Sequence, residues 1–160
     1  MVYDGDGRHS ERKKVRKILN WPAPRSIRDA RAFIGICVYY RIFIVRFSLI
    51  AAPIMELFRK SAVFVWTVER QRAMDKLKDL LTNAPVLVTL DYSPTAGLII
   101  LSCDACTKIG WGAIIQQVRE DGKKHPARYE SGLWSDAERK YDAVKLECRG
   151  LLKALKKFRF

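Results

Sequence analysis

Apolar positions follow one period up to Pro94 and another beyond it. In the first stretch they recur every three to four residues, as in amphipathic helices; afterwards they come in short apolar or alternating runs bounded by Gly, Pro and Asp, as in strands. Trp21-Pro22-Ala23-Pro24 reads as extended, because a proline pushes its predecessor out of the α region. Ser26, with Asp29 three residues on, predicts a helix start; Ala30, Phe33 and Ile34 form its apolar face and Gly35 its C-terminal stop. A second helix is expected to carry Tyr39, Tyr40, Arg41, Phe43, Ile44 and Phe47, and a third to open near Pro53 and run through Leu57 to Arg59-Lys60. Phe64-Val65-Trp66 reads as an extended link. Thr67 caps a fourth helix with Ala73, Leu77, Leu80 and Leu81 at helical spacing, ended by Asn83-Ala84-Pro85.

Beyond Pro94, strands are expected over 97–103, 111–118 and 125–131, with Asp121-Gly122 in the turn joining the last two. Ser135 and Glu138 form a capping box ahead of a long helix, whose apolar stripe reads Tyr141, Val144, Cys148, Leu151, Leu152, Leu155 and Phe158. The predicted organisation is a polar tail over 1–12, a helical segment over 13–90 and a strand-rich unit over 91–160. The class is α+β: helices first, then a three-stranded antiparallel sheet plus a long C-terminal helix. There is no internal repeat or low-complexity tract.

A hydrophobic content of 49% in 160 residues suits one ordinary domain or two small packed units. Thirty Lys and Arg against seventeen Asp and Glu give a net charge of +13, which predicts attraction to nucleic acid or an anionic membrane surface. The run 33–55 is the nearest approach to a membrane span, but Arg41 and Arg46 fall inside it, at roughly 2.5–3.5 kcal/mol each, and Pro53 interrupts it. No membrane partner is expected. The first twelve residues lack a secretory apolar region, so an intracellular protein, cytoplasmic or nuclear, is expected. Cys37, Cys103, Cys106 and Cys148 are too few and scattered for a disulfide scaffold; Cys103 and Cys106 make a C-x-x-C without further zinc ligands at matching spacing, and read as reduced thiols.

Candidate chemistry lies in two places. The run 98–105 delivers Asp104 at a strand end, and Glu147 projects beside the helical stripe; two such carboxylates are half of what a two-metal nuclease needs to hold ions roughly 3.5–4 Å apart. The plainer reading is that Asp104 caps the strand end and Glu147 pairs with Lys145 or Arg149. Arg25, Arg28, Arg31, Arg41 and Arg46 interleave with Tyr39, Tyr40 and Phe43, a mixture suited to phosphate and ribose contacts; alternatively the tyrosines are core and the arginines a solvated face. Lys153, Lys156, Lys157 and Arg159 read as a solvated helix end.

From Lys17 to Arg159 the sequence resembles the thumb-to-ribonuclease H part of the pol polyprotein of Gypsy-type LTR retrotransposons. The markers run in order: Trp21-Pro22-Ala23-Pro24, Phe33-Ile34-Gly35-Ile36, Tyr39-Tyr40-Arg41, Phe47-Ser48-Leu49-Ile50-Ala51-Ala52-Pro53, Phe64-Val65-Trp66-Thr67 and Ala84-Pro85-Val86-Leu87. Ser102-Cys103-Asp104-Ala105, Gly110-Trp111-Gly112-Ala113, Tyr129-Glu130-Ser131, Ala137-Glu138-Arg139-Lys140-Tyr141 and Glu147 continue the series. The resemblance implies that Asp104 and Glu147 are catalytic Mg²⁺ ligands of a ribonuclease H-like domain, and that Arg28, Arg31, Gly35, Tyr39, Tyr40, Arg41 and Arg46 bind nucleic acid. It implies cleavage of the RNA strand of an RNA/DNA hybrid. Cys106 departs from the serine usual after Asp-Ala. The family's later aspartate would follow Phe160, and the polymerase aspartates would precede Met1. The expectation is therefore a truncated reverse transcriptase/ribonuclease H segment that binds hybrid or duplex nucleic acid without competent chemistry of its own. An active Mg²⁺-dependent ribonuclease H and a domesticated protein-interaction module are the alternatives. An exposed sheet edge beside Asp104 implies self-association.

Overall fold

The structure, a computed structural model, describes residues 1–5 and 7–159. Strands β1 (Val2–Asp4) and β2 (Gly7–His9) pair antiparallel at the start of the chain, where the sequence reads as a polar tail. The basic stretch that follows is helix α1 (Arg12–Leu19), whose Val15 and Ile18 are buried in the helical core. Both features escape pattern reading because each is short and carries few apolar residues.

Helix α2 (Ile27–Tyr39) begins as its caps predict: Ser26 Oγ accepts from the Asp29 N–H at 3.1 Å, and the Asp29 carboxylate accepts from the Arg25 N–H at 3.1 Å. It does not stop at Gly35. The helix continues because Ala30, Phe33, Ile34 and Cys37 form one buried face, and burying Cys37 offsets the cost of about 1 kcal/mol for a helical glycine. A short 3₁₀ turn over Arg41–Phe43 takes the place of the expected second helix. Helix α3 (Phe47–Met55) then starts at Phe47 rather than near Pro53, which lies inside it. Arg46, just before α3, adopts a left-handed backbone at φ 52°. After a 3₁₀ turn over Glu56–Phe58, helix α4 (Val68–Thr82) opens at Thr67, whose hydroxyl accepts from the Arg70 N–H at 3.3 Å.

Three strands follow: β3 (Ile99–Cys106), β4 (Gly110–Val118) and β5 (Lys124–Leu133), in the order β3-β4-β5 and antiparallel throughout. Gly122, at φ 71°, makes the expected β4–β5 turn. Helix α5 (Ala143–Phe158) lies over the sheet, its start and its buried face both differing from expectation. The Ser135–Glu138 box forms, with the carboxylate accepting from Ser135 N–H at 2.9 Å, but it caps a 3₁₀ turn over Glu138–Lys140. Arg149 and Lys153 hold Glu138 against α5, so the turn folds back onto the helix rather than leading into it. Asp142 caps α5 instead, accepting from the Lys145 N–H at 2.8 Å. The inward face of α5 is Leu146, Gly150, Ala154 and Phe158, whereas Val144, Cys148, Leu151, Leu152 and Leu155 are exposed. Two apolar clusters result: one drawn from Val15 to Leu87 around α1–α4, the other from Val88 to Phe158 between sheet and α5.

Candidate nucleic-acid interface and carboxylate pair

Strand alternation decides what each residue of β3 can reach. Asp104 pairs with Gly112, and its neighbours Cys103 and Ala105 pair with Ala113 and Trp111. A Cβ on Gly150 of α5 would stand 3.4 Å from Cys103 Sγ, 3.4 Å from Trp111 Cβ and 3.6 Å from Ala105 Cβ. Cys103, Ala105, Trp111 and Ala113 therefore share the face under α5, and Asp104 leaves from the opposite face. There the carboxylate is ion-paired with the Arg46 guanidinium, both side chains more than half exposed. Gly112 leaves room for this pair, since a Cβ on it would lie 2.9 Å from Arg46 Cγ.

Glu147 is exposed on α5, on the other side of the sheet. Its charge reaches the Cys103 thiol, which burial chiefly and Glu147 secondarily push above the usual thiol range. The two carboxylates expected to share a metal thus diverge around β3, and one is engaged by an arginine. Among the described residues no group of three or more His, Cys, Asp or Glu is placed to hold a metal ion. The Mg²⁺ implied by the resemblance would need Asp104 released from Arg46 and further donors besides these two carboxylates.

The residues expected to bind nucleic acid separate into three groups. Arg28, Arg31, Gly35 and Tyr39 recur at three- and four-residue spacing and are all exposed, so they form one open face of α2. A Cβ on Gly35 would meet nothing within 4 Å, and Arg31 packs its guanidinium 5.6 Å from the centre of the Phe58 ring. Tyr40 is core: it is 2% exposed, its buried hydroxyl has no hydrogen-bond partner among the described residues, and burial pushes its phenol upward. Tyr39 meets it edge-on at 5.0 Å. Arg41 turns inward to within 3.6 Å of Glu130, a buried β5 carboxylate that also pairs with Arg128. Arg46, as described, goes to Asp104. Sequence marked the first group only as a mixture of arginine and tyrosine, with Gly35 ending one helix and Tyr39 on the next, so their union on one face of α2 comes from the structure; sequence gave no sign of the acidic partners of Arg41 and Arg46.

Two further buried polar centres are Glu138, which the sequence marks only as a capping residue, and Gln117, which it does not mark. Glu138 accepts from Lys153 Nζ at 2.8 Å, Arg149 Nε at 2.9 Å, and the Ser135 N–H and hydroxyl, and is held at about 2, the lysine bond chief among the causes. Gln117, 1% exposed, accepts from the Asp91 N–H at 2.8 Å and donates to the carbonyls of Asp91 and Gly97, fastening the strap that leads into β3. Among the described residues, no helix is long and apolar enough to cross a membrane.

A helical segment joined to a three-stranded sheet under one long helix defines an α+β unit of ribonuclease H-like type. The chain belongs to the family of RNase H-like domains found in reverse transcriptase, whose pattern matches residues 66–160. It is similar to the Tf2-3 and Tf2-4 transposon polyproteins of Schizosaccharomyces pombe, at 31% identity over 147 residues, which is 92% of this chain and 11% of each polyprotein. It therefore spans about a tenth of the length of those relatives. Its fold is similar to that of a foamy viral protease-reverse transcriptase dRH in complex with double-stranded DNA (TM-score 0.78, 24% identity, 97% of this chain and 26% of that one). A foamy viral protease-reverse transcriptase in complex with RNA/DNA hybrid gives 0.77 and 24%, over 97% of this chain and 20% of that one. The chain is a retroelement reverse transcriptase region.

Proposed function

We propose that this region holds duplex nucleic acid for a reverse transcriptase, through the open face of α2, and that its ribonuclease H-like unit serves as a platform rather than as a nuclease acting alone. The observation that carries the reading is the segregation on α2: Arg28, Arg31, Gly35 and Tyr39 face solvent together, while Ala30, Phe33, Ile34 and Cys37 face the core. Two guanidinium groups beside a glycine and an aromatic ring offer phosphate contacts and a place where a sugar-phosphate ridge can come close. The likeness to reverse transcriptases described with double-stranded DNA and with RNA/DNA hybrid supports the same reading. The ligand is hybrid or duplex nucleic acid, bound without base readout, inside the cell.

The test is fluorescence anisotropy of a labelled RNA/DNA hybrid titrated with the chain over a range of salt. Binding is expected to weaken steeply with salt, and Arg28→Ala with Arg31→Ala to reduce the salt slope by about 1 per arginine. Unchanged affinity and slope in the double variant would remove α2 from the interface. Cleavage of the hybrid in Mg²⁺, lost on Asp104→Asn, would overturn the platform reading.

A further inference from the structure

Of the arginines expected to bind nucleic acid, Arg46 is neither free nor fixed. Arg28 and Arg31 are exposed on α2, and Arg41 is engaged by Glu130, a carboxylate whose side chain is 1% exposed and which also holds Arg128. Arg46 is held by Asp104, yet its side chain is 53% exposed and that of Asp104 58%.

The seat of this pair costs more than the pair contributes. Among the described residues Arg46 is the only non-glycine at positive φ, 52°, a left-handed backbone that costs a residue with a side chain about 5–30-fold in the folding equilibrium. Gly112, inside β4, keeps the seat clear, since a Cβ on it would lie 2.9 Å from Arg46 Cγ; a glycine within a strand costs about 2–5-fold relative to alanine. An ion pair this exposed returns about 5-fold at most. Nor does the pair have to join the helical segment to the sheet, because the Ser48 N–H donates to Ser131 Oγ at 2.8 Å and Arg41 meets the buried Glu130. Backbone and glycine together thus keep a guanidinium at the surface where stability alone would not place one.

We infer that Asp104 is a resident competitor of the phosphate backbone: it holds Arg46 while the chain is empty, and Arg46 exchanges the carboxylate for a phosphodiester when a duplex is bound. The inference rests on the duplex-holding function proposed above. Carboxylate and phosphodiester are both anions that accept from a guanidinium in the same fork geometry, so the arginine is paired before and after the exchange. Asp104 needs no replacement partner, because its exposed side chain is hydrated once released. Arg41 has no such freedom, since its departure would take a cation from a buried carboxylate. The exchange restrains affinity by the weight of the pair, and it bares the Asp104 carboxylate only while a duplex is held.

The test is anisotropy of a labelled RNA/DNA hybrid, in buffer without divalent cations, titrated with the chain, Asp104→Asn, Arg46→Ala and the double variant. Both side chains are more than half exposed, so the fold is expected to survive, checked by circular dichroism. Asp104→Asn should tighten binding by about 3–5-fold, the weight of the pair, and the same substitution in the Arg46→Ala background should change it by less than about 1.5-fold. Arg46→Ala should lower the salt slope by about 1, as the loss of one phosphate contact requires. A gain of equal size without Arg46 would reduce the effect to bulk charge, and binding that Asp104→Asn leaves unchanged or weakens would make the pair a plain joint. Either result overturns the inference and leaves the role of Arg28 and Arg31 standing. Absence of hybrid binding at any salt concentration would overturn the proposed function, and the inference with it.

Discussion

Glu138→Gln is the perturbation whose cost the structure sets most closely. The carboxylate is 5% exposed, accepts from Lys153, Arg149 and Ser135, and titrates at about 2 instead of the ordinary 4.5. At about 1.4 kcal/mol for each tenfold change, that difference corresponds to about 3 kcal/mol of folding stability. The cations are only partly shielded, the Arg149 side chain being 44% exposed and that of Lys153 29%, so solvent screening brings the expectation to about 1–2 kcal/mol. The group is depressed on folding, so its contribution is complete above 4.5, where the unfolded chain is also ionised, and is lost as pH falls from 4.5 toward 2. Urea unfolding followed by Trp134 fluorescence, for both proteins at neutral pH and at steps down to pH 2, should show a gap of about 1–2 kcal/mol that closes across that window. A gap that stays constant with pH would refute the reasoning, because it would assign the loss to packing rather than charge.

Gly110→Ala should cost about 2–4 kcal/mol in thermal unfolding, because the added Cβ would lie 2.1 Å from the Gly132 carbonyl oxygen, which cannot swing away as a side chain can; a near-neutral result would mean that β4 and β5 are free to separate there. A double-mutant cycle on Arg46→Ala and Asp104→Asn should return a coupling of about 1 kcal/mol or less, both partners being more than half exposed, and a coupling several times larger would show a tightly held joint. Burial pushes the Cys37 thiol up to about 12, so native protein treated with a maleimide at mildly alkaline pH should be labelled at exposed Cys148 long before Cys37, as read by peptide mass spectrometry; equal rates would contradict that burial.

Local chemistry was legible where a side chain acts on its own backbone. Ser26, Thr67 and Gly122 sit where their capping or turn residue types place them, and the three strands fall within a few residues of expectation. Bulk misled where close approach mattered. Hydrophobic periodicity selects large residues, yet α5 lies so near the sheet that its inward face needs Gly150 and Ala154; Leu151, Leu152 and Leu155 take the outside, while Leu146 and, as expected, Phe158 are buried. Long-range ion pairs were equally hidden, since Arg46 and Asp104 are 58 residues apart. The α2 face was legible as a mixture of arginine and tyrosine, but which tyrosine is core depends on the packing of Tyr40 against Phe43, which no local pattern encodes.

The sheet is gripped on both sides. α5 covers one face; on the other, the Ser48 N–H at the start of α3 donates to Ser131 Oγ at 2.8 Å and Tyr129 packs into the helical core, while Arg41 reaches Glu130, which lies on the α5 face beside Ala113. Further along, Arg8 and Leu87 exchange backbone hydrogen bonds at 2.7 and 3.0 Å, and the Val88 N–H donates to the Pro126 carbonyl. The strap over 91–95, by contrast, is exposed throughout. Covalent continuity there is dispensable to the union of the two halves: a protease that nicks the strap should leave two fragments that travel together through a sizing column and part only when denaturant is added.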